Sequence, residues 1–256
     1  MLESSSKIIL CYSELKSNKL ISDGRNKVKT QYPLSHAIFL DLPEPERLSP
    51  LDEFNDWRYP VETEFGIKSS IEGSRFSKSR KAFNELFLIL RKQLDDIDLV
   101  ITHNPWGEYG HPHHVIIHRV VTKIAKAKDI SILVPGVFSL KSKYLMNRTA
   151  HRLGTEPIIL DTNKSLSKKL QAIYVDNDCW TWSSKNLPSK NIFYSLHDYD
   201  LTNSNIDSQK YYFYEHFFQF IDKPYRIHSI KEYLSMTKFG FFLEFFAKIK
   251  NILFRL

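Results

Sequence analysis

Apolar positions in this chain follow two periods, and their alternation sets the expected fold. Unbroken apolar runs at residues 7–13, 36–42, 98–102 and 130–134 have the length of strands buried on both faces. Between the later runs the spacing changes to three and four. Phe83, Leu86, Phe87, Leu90, Leu94 and Ile97 predict an amphipathic helix over 76–95. Leu166, Leu170 and Ile173 predict another over 164–174, and Pro112 suits the first position of a third over 112–127. Strand and helix in alternation predict an α/β fold, a three-layer sandwich on a mostly parallel, Rossmann-like sheet. A polar stretch carrying Gly24 follows the first strand. Pro43, Pro45, Pro50 and Pro60 mark 43–74 as a long loop or set of turns, suited to one wall of a substrate cleft.

From about residue 190 the character changes, so the expected division is a domain at 1–190 and a C-terminal, aromatic-rich helical extension at 191–256. In the last segment Phe242, Phe245, Phe246, Ile249, Leu253 and Leu256 share one side of a helix, while Glu244, Lys248, Lys250 and Arg255 break the pattern. Residues 237–256 therefore fit a peripheral membrane contact, and equally a helix that caps the core or joins a dimer.

Composition narrows the partners. The net charge of +7 is spread along the chain and fits an anionic partner, a membrane surface or plain solubility. With no arginine-rich tract or recognition motif, nucleic acid is not an expected partner. Cys11 and Cys179, the only cysteines, read as buried thiols in a reducing compartment. The first residues lack the basic and apolar regions of a signal peptide, and no apolar run is long enough to span a bilayer. The expected location is cytoplasmic, with contact at the inner membrane face as an extension of that reading.

Five of the ten histidines, His103, His111, His113, His114 and His118, fall within sixteen positions after the strand at 98–102. Imidazoles gathered at the carboxyl end of a strand and the first turn of a helix are where an α/β enzyme holds a metal. Helical spacing puts His114 and His118 on one face with His111 at its amino end, and turns His113 away towards solvent. His118, in mid-helix, reads better as a core histidine than as a ligand. His103 ends a strand, where it either bonds backbone or takes part in the site.

The stretch Tyr109, Gly110, His111, Pro112, His113, His114 resembles the second signature of the PIG-L/LmbE family of metal-dependent N-deacetylases, whose pattern is Gly-His-Pro-Asp-His. Flanking similarity covers roughly residues 7–185, including 7–14, Arg25 with Tyr32, Pro33 and Leu34, 39–43 and 169–174. The resemblance implies a zinc-dependent amide hydrolase acting on an N-acetylated amino sugar or glycolipid. It makes His114 a zinc ligand and Tyr109 a donor to the oxyanion. His111 becomes the acid on the leaving amine or a group that polarises the carbonyl.

Two departures qualify it. His113 stands where the family has an aspartate, and nothing before Lys7 matches the family's first signature, His-Pro-Asp-Asp-Glu, which supplies two further ligands and the base. Residues 197–200 repeat a His-x-x-Asp spacing, but in the wrong order along the chain and with Tyr199 at the base position. The expectation is thus an N-deacetylase, inactive if half of its metal site is missing. The alternative is a non-catalytic sugar- or lipid-binding relative that kept the cleft and lost the metal.

Overall fold

The computed structural model describes residues 6–16, 18–45, 61–68, 75–139, 142–179, 181–182, 187–197, 211–215 and 218–219. These form a mixed α/β structure. Strand β1 (Ile8–Glu14) is followed by helix α1 (Lys19–Gln31) and strand β2 (Ala37–Pro43), which pairs with β1 in parallel. The polar stretch around Gly24 is thus helical. Asn18 caps α1, its side chain accepting from the Ile21 amide at 3.2 Å. Two short strands, β3 (Val61–Thr63) and β4 (Gly66–Lys68), make a hairpin within the expected loop.

Helix α2 (Arg75–Gln93) leads to β5 (Leu99–Ile101), the turn α3 (Gly107–Gly110) and helix α4 (Pro112–Lys128). Strands β6 (Ser131–Pro135) and β7 (Val137–Phe138) come next, then helix α5 (Lys143–Thr149) and strand β8 (Ile158–Asp161). Helix α6 (Lys164–Asp176), β9 (Thr181–Trp182) and β10 (Lys190–Ser195) follow.

The largest sheet among the described residues has the order β5-β6-β10-β8. Only β5 and β6 are parallel; β10 runs antiparallel to both of its neighbours. That sheet is therefore mixed rather than mostly parallel. The reason lies in the connections: α4 crosses from β5 to its parallel neighbour β6, whereas β10 comes later in the chain and inserts between β6 and β8, antiparallel to both. The β1–β2 pair forms a separate small sheet. In the C-terminal extension, expected to be helical, the described parts are instead short strands: β11 (Tyr214–Glu215) pairs with β7 and β12 (Phe218–Gln219) with β9. Residues 237–256, with their aromatic face, lie outside the described residues.

The core sits between α2, α4 and the β5–β6 sheet. Phe83, Leu86, Leu90 and Leu94 from α2 meet Ile116, Val120, Val121 and Ile124 from α4, with Ile132 and Val134 beneath. Each such side chain, fully buried, contributes about 1.5–3 kcal/mol. This packing fixes α4, and with it the histidines of its first turns. Cys11 and Cys179 are free and buried, as expected. Among the described residues no helix is long and apolar enough to cross a membrane.

Candidate metal centre

The segment from His103 to His114 is braced from several sides. Asn104, fully buried, donates through its side-chain amide to the carbonyls of Val137 at 2.6 Å and Pro135 at 3.2 Å. The Trp106 indole donates to the same Val137 carbonyl at 2.8 Å. Asn104 and Glu108 cap each other: the Glu108 amide donates to Asn104 Oδ1 at 2.8 Å, and the Asn104 amide donates to Glu108 Oε1 at 3.1 Å. The Ser142 hydroxyl donates to the Glu108 carbonyl at 2.6 Å. These contacts hold Glu108 at φ 55°, ψ −76°, which costs an L-residue about 1–3 kcal/mol. Glycines at 107 and 110, both at positive φ, complete the bend.

The bend turns the Glu108 carboxylate inward. Its Oε2 lies 2.6 Å from His114 Nδ1 and 3.1 Å from His103 Nδ1. The two imidazoles stack with centroids 4.0 Å apart. Burial alone pushes the Glu108 carboxyl up, but His103 and His114 more than offset this and hold it well below the usual carboxylate range. An ionised carboxylate only accepts, so both Nδ1 atoms carry the hydrogen in this arrangement. Burial, with His103 adding to it, lowers His114 to about 4, so its ring is neutral at neutral pH. Neutral imidazole is the form that binds metals.

His103, Glu108 and His114 together could hold a metal ion: their ligand atoms all lie within 4.8 Å of one another. The sequence named only His114 as a ligand. His103 and Glu108 join it here, one from the end of β5 and one from the bend.

Tyr109 and His111 pack against the same group, with ring centroids 5.3 and 4.7 Å from His114. His111 caps α4, its Nδ1 accepting from the His113 amide at 3.3 Å, with Pro112 in the first turn as expected. That bond assigns the ring hydrogen to Nε2. Burial and the neighbouring histidines push His111 well below its ordinary pKa, so it is a neutral Nε2–H donor. Burial, with Glu108 next, pushes the Tyr109 phenol well above its usual range, so it too stays protonated.

No protein-family model and no curated protein sequence matches this chain.

Two histidines differ from expectation in instructive ways. His113 is buried rather than exposed, because the segment after β2 covers it: Nε2 donates to the Pro45 carbonyl at 3.2 Å and the Tyr12 ring packs at 5.5 Å. Where the resembled pattern has an aspartate, His113 faces a carboxylate from elsewhere in the chain: its Nδ1 lies 3.9 Å from Glu44. His118 is a core residue, as expected, and its Nδ1–H donates to the His103 carbonyl at 2.7 Å. It acts on the centre only by fixing the strand end that carries His103. His197 bonds Ser195 at 2.6 Å, and Asp200 lies outside the described residues.

Proposed function

We propose that the chain is a zinc-dependent amide hydrolase that removes the acetyl group from an N-acetylated amino sugar or glycolipid. The observation that carries this reading is the convergence of His103, Glu108 and His114, with Tyr109 and His111 packed against them. Two imidazoles and a carboxylate are a donor set that zinc takes in catalytic sites. A zinc ion held there supplies Lewis acidity to the amide carbonyl.

The chain's own groups then have distinct parts. The Tyr109 hydroxyl and the His111 Nε2–H are neutral donors suited to an acyl oxygen as it gains charge. His111 is better suited to polarising that carbonyl than to protonating the amine, since its proton affinity is depressed. Without metal, Glu108 orients both imidazoles through their Nδ1 atoms; zinc binding would require those hydrogens to leave or move to Nε2, after which the same carboxylate and rings would serve as ligands. We extend the proposal to the fold: β1–α1–β2 and β5–α4–β6, two parallel units, belong to a Rossmann-like three-layer sandwich from which β10 departs. The free buried thiols of Cys11 and Cys179 support a reducing, cytoplasmic setting.

One observation favours a second reading. The Glu108 carboxylate is already satisfied by two imidazoles and a backbone amide, so the cluster is stable as a hydrogen-bonded unit without metal. A metal-free sugar- or lipid-binding protein would keep that arrangement. Zinc titration of the chelator-treated chain, followed by acetate release from an N-acetylglucosaminyl substrate, separates the two. Stoichiometric zinc with zinc-dependent acetate release is expected. A chain that takes up no zinc but binds the sugar would establish the second reading.

A further inference from the structure

Arg25 lies in α1, outside the histidine segment, yet its guanidinium is linked to that segment through Glu44. Its Nη2 pairs with Glu44 Oε1 at 2.7 Å. The other Glu44 oxygen is 3.9 Å from His113 Nδ1, and the His113 ring is 4.8 Å from that of His111.

The helix that carries Arg25 is firmly seated. A Cβ at Gly24 would come within 2.1 Å of the Asn177 carbonyl oxygen and 2.9 Å of Cys179 Sγ, so only glycine allows α1 to approach the end of α6 this closely. The Asn177 side chain also donates to Gln31 Oε1 at 2.8 Å. Arg25 is thus delivered to one place by backbone contact. There its Nη1 is buried and has no hydrogen-bond partner among the described residues. A guanidinium is always charged and its donors form a fixed fork, so holding one arm in place with Glu44 aims the other. Leaving such a donor buried and unmade is costly, and the partner it suits is an oxyanion.

We propose that Arg25 Nη1 receives a phosphate or carboxylate carried by the substrate, so that the site selects acidic N-acetylated sugars over neutral ones. This rests on the deacetylase reading for the sugar, whereas the oxyanion contact stands on Arg25 alone. Glu44 neutralises one arm of the guanidinium and fixes its direction. The oxyanion occupies the other arm.

The test is a set of binding titrations on the full chain with N-acetylglucosamine, N-acetylglucosamine 1-phosphate and N-acetylmuramic acid. They are run on the natural sequence, R25Q and R25K, alongside an acetate-release assay. The natural chain is expected to bind at least one acidic sugar about 10- to 100-fold more tightly than the neutral one, the worth of a charged hydrogen bond. Whichever acidic sugar shows the gain identifies the oxyanion as phosphate or carboxylate.

R25Q should erase the gain. R25K, which keeps a cation for Glu44 but lacks the fork, should retain only part of it and guards against a misfolded R25Q. Equal binding of all three sugars by the natural chain, or a gain that survives in R25K and R25Q alike, would overturn the proposal. Arg25-dependent binding without acetate release leaves the oxyanion site standing and removes the hydrolase reading. Acetate release with no acidic preference does the reverse.

Discussion

The buried histidines should make the metal-free protein sensitive to acid, and His118 allows one such contribution to be isolated. It is 2% exposed, and its Nδ1–H donates to the His103 carbonyl at 2.7 Å. Burial, reinforced by Arg119, pushes its pKa down to about 3. In the unfolded chain a histidine titrates near the usual 6.5. As pH falls below that value the unfolded state takes up a proton that the native state refuses. The stability associated with a neutral His118 is therefore complete above about pH 6.5 and is lost progressively as pH falls towards 3.

Well below pH 6.5 the slope approaches about 1.4 kcal/mol per pH unit, on the order of 5 kcal/mol over the whole window. That is a large part of the roughly 5–15 kcal/mol that holds a domain together. His111, His113 and His114 are lowered by burial in the same direction, so the total acid dependence is steeper still. The variant H118N removes one titrating group while its side-chain amide can still donate to the His103 carbonyl. Urea denaturation of chelator-treated protein at pH 7, 6 and 5 gives the slope for each chain. The natural chain should lose about 0.7 kcal/mol more than H118N between pH 7 and 6 and about 1.2 kcal/mol more between pH 6 and 5, whatever the variant costs at pH 7. Parallel pH profiles for the two chains would refute the assignment of a neutral, buried His118.

The other predictions concern the centre itself. E108Q keeps the shape but removes the charge that faces both Nδ1 atoms, and should weaken zinc binding by about 100-fold or more in a competition titration against a chromophoric chelator. N104A removes the bonds to Val137, Pro135 and the Glu108 amide, leaving buried groups unpaired. It should cost about 3–5 kcal/mol in urea denaturation and weaken zinc binding as well, because Glu108 loses its brace. Y109F removes a protonated phenol beside His114 and should lower kcat for acetate release by about 10- to 100-fold with little change in KM.

What the sequence made legible follows the physics that each residue obeys. Helices α2 and α4 bury wide apolar stripes; spacing locates α2, and Pro112 marks where α4 begins. Helix α1 escapes that reading because its buried face is only Ile21, Gly24 and Val28, with a glycine backbone packing where a side chain ordinarily would. Strand β8 is exposed along its whole length, so no buried pattern announces it. The direction of β10 depends on where the chain re-enters the sheet, which apolar periodicity does not encode.

The centre shows the same division. His114 and Tyr109 stand out by residue type and neighbourhood, and Pro112 announces the helix that carries the cluster. Helical spacing pairs His114 with His118, because it assumes that the nearest partner is one turn along the same helix. The partners that meet His114 are instead His103 and Glu108, brought there by a bend with positive φ at 107, 108 and 110. The signal available in the sequence was a glutamate between two glycines amid histidines. A residue flanked by Gly107 and Gly110 is where a backbone can turn back on itself, and Glu108 is the carboxylate that this turn carries inward.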